Sequence, residues 1–317
     1  MTEQQPIQPT PVGAFRFNTD SAKLEYFNGD EYVNITTDSP EQNTGGTRGL
    51  WAGRNSPHTD AIDFVNIDTT GDASDFGNLV ANTGIACAMS SLVRGVIAGG
   101  TSPNDSGNSD KMDFVTIAST GDATDFGNLT VARFGTTAGS NETRAVIAGG
   151  NYPKTNTIDY ITMSSAGDAI DFGDLIVGMR RSNAGNSPTR VIFYGGSDSP
   201  ASNANTQIQF VTTTTLGNSQ DFGDPFTGGY SRAKGVICSS TRALFAGIGS
   251  PQSNSIEFIT MSTLGNGAAF GDLPVSGSAC AGRMGCSSVT RGLTGGGGSD
   301  NSINYVNIPT FGDAVDF

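Results

Sequence analysis

Ile158-Asp-Tyr-Ile-Thr-Met-Ser-Ser-Ala-Gly-Asp-Ala-Ile-Asp-Phe-Gly-Asp-Leu175 recurs with small changes along a chain of 317 residues, and its reading decides the fold. The aromatic near its end returns as Phe76, Phe126, Phe172, Phe222, Phe270 and Phe317, at intervals of 46 to 50 residues. An arginine that opens an apolar run keeps the same beat, as Arg48, Arg94, Arg144, Arg190, Arg242 and Arg291. A unit of this length cannot bury the faces of its own strands and must stack on its neighbours, and roughly 50 residues suits one four-stranded propeller blade. The prediction is an all-β chain in which residues 47–317 form a six-unit β-propeller.

Within one unit the four strands differ in composition. Arg133-Phe-Gly-Thr-Thr-Ala-Gly-Ser140 carries small residues, as an innermost strand crowded around an axis requires. Thr143-Arg-Ala-Val-Ile-Ala-Gly-Gly150 is a short apolar run stopped by glycines, the pattern of a strand covered on both faces. Ile158 to Met163 mixes apolar and polar residues at near period two and predicts a half-buried third strand. A Ser/Thr-x-Gly-Asp/Asn turn then leads into a short outer strand around Asp-Phe-Gly. Helical periodicity is absent.

This order resembles the kelch repeat, with Phe where that pattern usually has Trp. "TRAVIAGG", "IDYITM" and "GDAIDFGDL" are more specifically similar to kelch-like repeats of virion structural proteins from tailed, notably marine, bacteriophages; the resemblance covers residues 47–317. The sequence leaves the first unit without an evident inner strand, because residues 36–46 are a poor candidate. A thin first blade is expected, with residues 30–36 or a partner chain as alternative ways to complete its edge.

Residues 1–12 are polar and Pro-rich and read as a flexible arm, with none of the features of a secretory signal. Residues 13–46 hold a short β-meander and a linker. The string "GAFRFNTDSAKLEYFNGDEYVNI" resembles a motif of phage tail-fibre and other virion proteins that is associated with oligomeric assembly. About two dozen residues cannot make an independent core, so Phe15, Phe17, Leu24, Tyr26 and Tyr32 are expected to form an oligomer or anchor interface.

A formal net charge of −13 without a Lys/Arg cluster argues against nucleic-acid binding. No apolar stretch approaches the roughly 20 residues that cross a bilayer as a helix. Cys87, Cys238, Cys280 and Cys286 lack CxxC spacing and read as small free thiols. The single histidine, His58, has no nucleophile motif beside it and reads as a solvated loop residue. The acids of Asp122-Ala-Thr-Asp125 and Asp168-Ala-Ile-Asp171 recur from unit to unit, which fits turn capping better than calcium binding or catalysis. Gly295 to Gly298 lack the Lys and helix of a phosphate loop. The six arginines can ring an anion site or lock each blade to its neighbour, and their regularity favours locking.

No catalytic, metal or cofactor residue is expected, and the chain is read as a non-enzyme. Variable loops at 54–61, 101–111, 151–157, 197–206, 249–255 and 298–302 suit contact with a protein or a host-surface glycan. The resemblances imply a virion protein made in the host cytoplasm and carried on the tail or tail fibre for assembly or host attachment. They also imply a homo-oligomer held to other virion proteins through its N-terminal segment. A capsid decoration or head fibre is the alternative within that setting, and a propeller enzyme acting on glycans is the alternative outside it.

Overall fold

The computed structural model describes residues 10–18, 23–34, 47–103, 107–151, 155–197, 207–226, 235–247, 253–275, 282–296 and 301–317. It divides into two compact units, Met1–Ser39 and Pro40–Phe317. The chain is all-β, and the described residues contain no helix.

In the first unit β1 (Phe15–Asn18), β2 (Lys23–Phe27) and β3 (Tyr32–Asn34) form an antiparallel meander. Asn28 Oδ1 accepts the backbone N–H groups of Asp30 and Glu31, each at 2.9 Å, and Gly29 takes φ +114°. The Asn-Gly signal therefore makes the turn that its chemistry favours. The turn expected at Asn-Thr-Asp-Ser falls mostly on 19–22, outside the described residues.

The second unit opens with a three-stranded sheet of β4 (Arg48–Asn55), β5 (His58–Asn66) and β6 (Ser74–Thr83). The second sheet holds β7 (Cys87–Ser90), β8 (Arg94–Ala98), β11 (Lys111–Thr116) and β12 (Thr124–Asn128); β9 (Thr101–Ser102) and β10 (Gly107–Asn108) pair as a separate ribbon. The third holds β13 (Thr137–Ser140), β14 (Arg144–Ala148), β15 (Thr157–Thr162) and β16 (Ile170–Asp174). The fourth holds β17 (Asn183–Asn186), β18 (Arg190–Tyr194), β19 (Ile208–Thr212) and β20 (Gln220–Gly223). The fifth holds β21 (Gly235–Cys238), β22 (Arg242–Ala246), β23 (Ser255–Thr260) and β24 (Ala268–Asp272). The sixth holds β25 (Met284–Ser287), β26 (Arg291–Gly295), β27 (Ile303–Asn307) and β28 (Val315–Asp316). All pairings are antiparallel between neighbours in sequence, except that β11 follows β8 across the ribbon.

Two expectations change here. Residues 54–61 are not a loop: β4 and β5 join through Ser56 and Pro57 alone, and Asn55 pairs with His58. His58 accordingly lies in a strand, half-buried, with Nε2 2.9 Å from Thr101 Oγ1. The third strand of the second to fifth sheets is also more buried than alternation implies. Ile158 and Asp159 point to opposite faces of β15, yet both are 0% exposed. A neighbouring sheet covers each face, so a polar residue there is buried as completely as an apolar one.

The core is divided among the junctions between sheets. One cluster joins Val96 and Met112 of the second sheet to Ala145 and Ile147 of the third. Another joins Val146 and Ile158 to Val191 and Phe193. Further clusters link the fourth sheet to the fifth, the fifth to the sixth and the first to the second. The smallest brings Leu293 of β26 against Val65 of β5 and Ile67 just beyond it. Each fully buried Ile, Val or Phe contributes about 1.5–3 kcal/mol.

Glycine sets how closely the sheets approach. A Cβ on Gly127 would stand 2.4 Å from the carbonyl oxygen of Gly167, in a backbone with φ +143°. That oxygen belongs to the Gly-Asp turn of the next sheet, whose Gly167 N–H donates to Phe126 O at 2.7 Å. The same bond joins Gly121 to Phe76, Gly217 to Phe172, Gly265 to Phe222 and Gly312 to Phe270. The aspartates expected to cap their own turns work across the junction instead. Asp122 Oδ1 accepts Asn78 N–H at 3.0 Å, and Asp168 Oδ1 accepts Asn128 N–H at 2.9 Å.

Candidate functional site

The N-terminal meander presents an apolar face. Phe15 pairs with Tyr26 and Phe17 with Leu24, so period two places all four side chains on one side. They are exposed by 68%, 39%, 62% and 46% respectively. Tyr32, expected with them, lies on the other side. The turn pairs Phe27 with Tyr32 and Tyr26 with Val33, which shifts the alternation by one residue. There Arg16 Nε donates to Glu25 Oε2 at 2.8 Å, and its guanidinium stands 3.7 Å above the Tyr32 ring. One face of this sheet is an ion pair roofed by an aromatic, and the other is bare hydrocarbon.

The six recurrent arginines share one geometry. Arg48, Arg94, Arg144, Arg190 and Arg242 each donate through Nη1 to a carbonyl of the following sheet: Ile117, Met163, Thr213, Met261 and Ile308, at 2.7 to 3.2 Å. Arg291 of the sixth sheet donates to Ile67 O at 3.2 Å and to Asp68 O at 3.1 Å, just beyond β5. Each guanidinium also stacks over an aromatic of a strand paired with its own, from 4.6 Å for Arg144 over Tyr160 to 5.3 Å for Arg242 over Phe258. The recurrent phenylalanines meet those aromatics edge-on, as in Phe64 with Phe76 at 5.9 Å and Tyr305 with Phe317 at 6.3 Å. Phe126, Phe172, Phe222 and Phe270 repeat the contact.

A second series of polar residues was not anticipated. Asp113, Asp159, Gln209, Glu257 and Asn304 occupy one place in the third strand and are all buried. Four of them accept a backbone N–H from the last strand of the preceding sheet or the segment just beyond it: Val80 to Asp113, Thr130 to Asp159, Ile176 to Gln209 and Phe226 to Glu257. Glu257 also accepts the Tyr194 hydroxyl. Asp159 meets Arg133 at 2.9 Å with both side chains wholly buried. Burial pushes Arg133 below its ordinary range, and the Asp159 charge opposes that shift. The available signal was a polar residue recurring at one place with changing identity, Asp, Gln, Glu or Asn, as an acceptor requirement produces.

Residues from all six sheets of the second unit line a cavity of about 310 Å³, among them Trp51, Met89, Ala138, Val236 and Cys286. Arg48 is the charged side chain on its wall, and the ionisable thiols of Cys87, Cys238 and Cys286 also face it. Desolvation pushes Cys87 up to about 11 and Cys238 and Cys286 up to about 12, which holds them as neutral thiols at physiological pH. Cys280 lies outside the described residues. Among the described residues no group of three or more His, Cys, Asp or Glu is placed to hold a metal ion, and no helix is long and apolar enough to cross a membrane. Comparison with known proteins finds no matching family model and no significant curated relative.

Proposed function

We propose that this chain is a structural component of a tailed-phage virion, in which the N-terminal meander joins it to other virion proteins or to copies of itself. Residues 47–317 form a six-bladed kelch-like propeller displayed on the tail or fibre for assembly or host attachment. The observation that carries the reading is the bare face of Phe15, Phe17, Leu24 and Tyr26, because contiguous exposed hydrocarbon of this kind marks a contact surface. The junctions support the circular stacking: core clusters bridge successive sheets, and Arg291 reaches from the sixth sheet to Ile67 and Asp68 beside the first. The arginine latch recurs at all six junctions and the buried acceptor at four of them, which favours a scaffold over a single reactive centre.

Mass spectrometry of purified particles tests the role. The wild-type chain is expected in the particle, and a chain carrying Phe15→Ser and Phe17→Ser is expected to be lost from it while remaining folded by circular dichroism. Absence of the wild-type chain from particles overturns the virion reading. Immunogold labelling against residues 54–61 then separates tail from head, and label on the head overturns the tail assignment in favour of a capsid decoration.

A further inference from the structure

The chain holds two Asn-Gly pairs, Asn28-Gly29 and Asn266-Gly267. Glycine after asparagine leaves the next amide nitrogen without a side chain beside it, so that nitrogen can reach the carbon of the Asn carboxamide. The two pairs sit in opposite surroundings.

Asn28-Gly29 lies in the turn between β2 and β3, where residues 28–31 are all exposed. The backbone N–H groups of Asp30 and Glu31 both point at Asn28 Oδ1, at 2.9 Å each. Among the described residues the Gly29 N–H donates to no group. Two donors thus stand where negative charge develops when Asn28 Cγ is attacked, an arrangement that stabilises a tetrahedral intermediate. The attacking nitrogen is uncommitted. Gly267, by contrast, is buried, and its N–H donates to Asp224 O at 2.8 Å. A Cβ there would stand 2.9 Å from the Tyr194 hydroxyl, so its backbone is enclosed. Asn266 Oδ1 accepts the Asp224 N–H at 3.0 Å. Both halves of this second pair are therefore tied to the residue just beyond β20.

We propose that Asn28 is a site of self-modification: it cyclises onto Gly29 and reopens as aspartate and isoaspartate, while Asn266 persists. The chain and solvent supply every atom of the step. Gly29 N gives its proton to solvent base and bonds Asn28 Cγ, Nδ2 leaves as ammonia, and a five-membered imide remains. Water then adds to one of the two imide carbonyls. Breaking the bond from nitrogen to Cγ gives aspartate. Breaking the bond from nitrogen to the Asn28 backbone carbonyl carbon gives isoaspartate, whose main chain runs through Cγ and is one carbon longer. Aspartate keeps an acceptor for the Asp30 and Glu31 N–H groups. The extra carbon of isoaspartate instead falls beside the Phe27–Tyr32 pair that the turn closes, and a hairpin's register is fixed by its turn. The site therefore loosens the meander with age. Its bearing on assembly rests on the reading of the meander as the contact element, and the chemistry does not.

The test holds the full chain at mildly alkaline pH and follows both asparagines by peptide mass spectrometry, with fragmentation that separates isoaspartate from aspartate. In the folded chain Asn28 is expected to convert at least about tenfold faster than Asn266, whose Gly267 must first be released by local opening. It is expected to pass through the ammonia-loss mass of the imide and to yield isoaspartate besides aspartate. In the chain unfolded by guanidinium chloride the two rates are expected to come within about twofold, because the Asp224 bonds are gone. Equal rates in the folded chain, or an Asn28 that does not convert, overturn the proposal. Aspartate formed without imide or isoaspartate overturns cyclisation, and a rate gap that survives unfolding overturns the assignment of protection to the Asp224 bonds. Amides 32–34 of the isoaspartate form are expected to exchange hydrogen at least about tenfold faster than those of the unmodified chain. Unchanged exchange there overturns the loosening of the meander.

Discussion

The first and third sheets are written in the same pattern and are buried differently. Arg48-Gly-Leu-Trp-Ala52 and Arg144-Ala-Val-Ile-Ala148 each open with the arginine that bonds a carbonyl of the next sheet. In β14 the four residues after the arginine are all 0% exposed, while in β4 only Gly49 is buried. Asp63 and Asp159 hold equivalent places, one exposed and the other wholly buried. Burial in this protein therefore belongs to the junction and not to the strand's own sequence.

The sharpest way to break the comparison is to remove the buried pair of the third sheet. Asp159→Ala leaves Arg133 charged and unaccompanied at a site with no solvent access. It is expected to lower the unfolding free energy by about 3–5 kcal/mol, read from the midpoint of urea denaturation. Loss below about 1 kcal/mol would show that water reaches Arg133. Asp63→Ala, at the exposed counterpart, should stay within about 0.5 kcal/mol of wild type by the same measurement.

Next in size is the matched pair Ile147→Ala and Leu50→Ala. The first empties a fully packed position and is expected to cost about 2–5 kcal/mol, whereas the second, half-exposed, should cost roughly half as much or less. Equal costs would mean that β4 is covered in solution as β14 is.

The smallest effect falls on Asp113→Asn. Burial raises the Asp113 carboxyl above its ordinary value of 3.8, ahead of the Val80 N–H bond that lowers it. The folded chain then holds a proton that the unfolded chain releases, so stability falls as pH rises from that value through the raised one. Asparagine keeps the acceptor for Val80 and removes the titration. Its thermal midpoint should be at or slightly above wild type at pH 7 and should lack that pH dependence. A midpoint clearly below wild type at pH 7 would show that the carboxylate charge itself stabilises the fold.

Much of this architecture was legible because it repeats. The arginines marked the strands they open, and the runs of small residues marked the short strands that precede them, since close packing admits few alternatives. What stayed hidden depends on partners from another part of the chain. Asp159 looks like the outward residue of an alternating strand until Arg133 and the Thr130 N–H are placed over it. Asp122 looks like a turn cap until its acceptor is seen bonded to Asn78 of the preceding sheet. Which face Tyr32 takes was not legible, because the register of a hairpin is set by its turn and a shift of one residue moves every side chain to the other face. The bare face of Phe15, Phe17, Leu24 and Tyr26 was legible as apolar alternation, and the structure adds which side it occupies.

The Arg291 contact has a consequence in time. Most of these arginine bonds join residues 66 to 71 positions apart, but that from Arg291 to Ile67 spans 224. At about 5–20 residues per second of synthesis, the ribosome needs roughly 10–45 s between making the acceptor and making its donor. Through that interval the earliest sheet waits with one flank uncovered while its siblings dock in order. A chaperone, or an early encounter with another polypeptide, would find the nascent chain most receptive there.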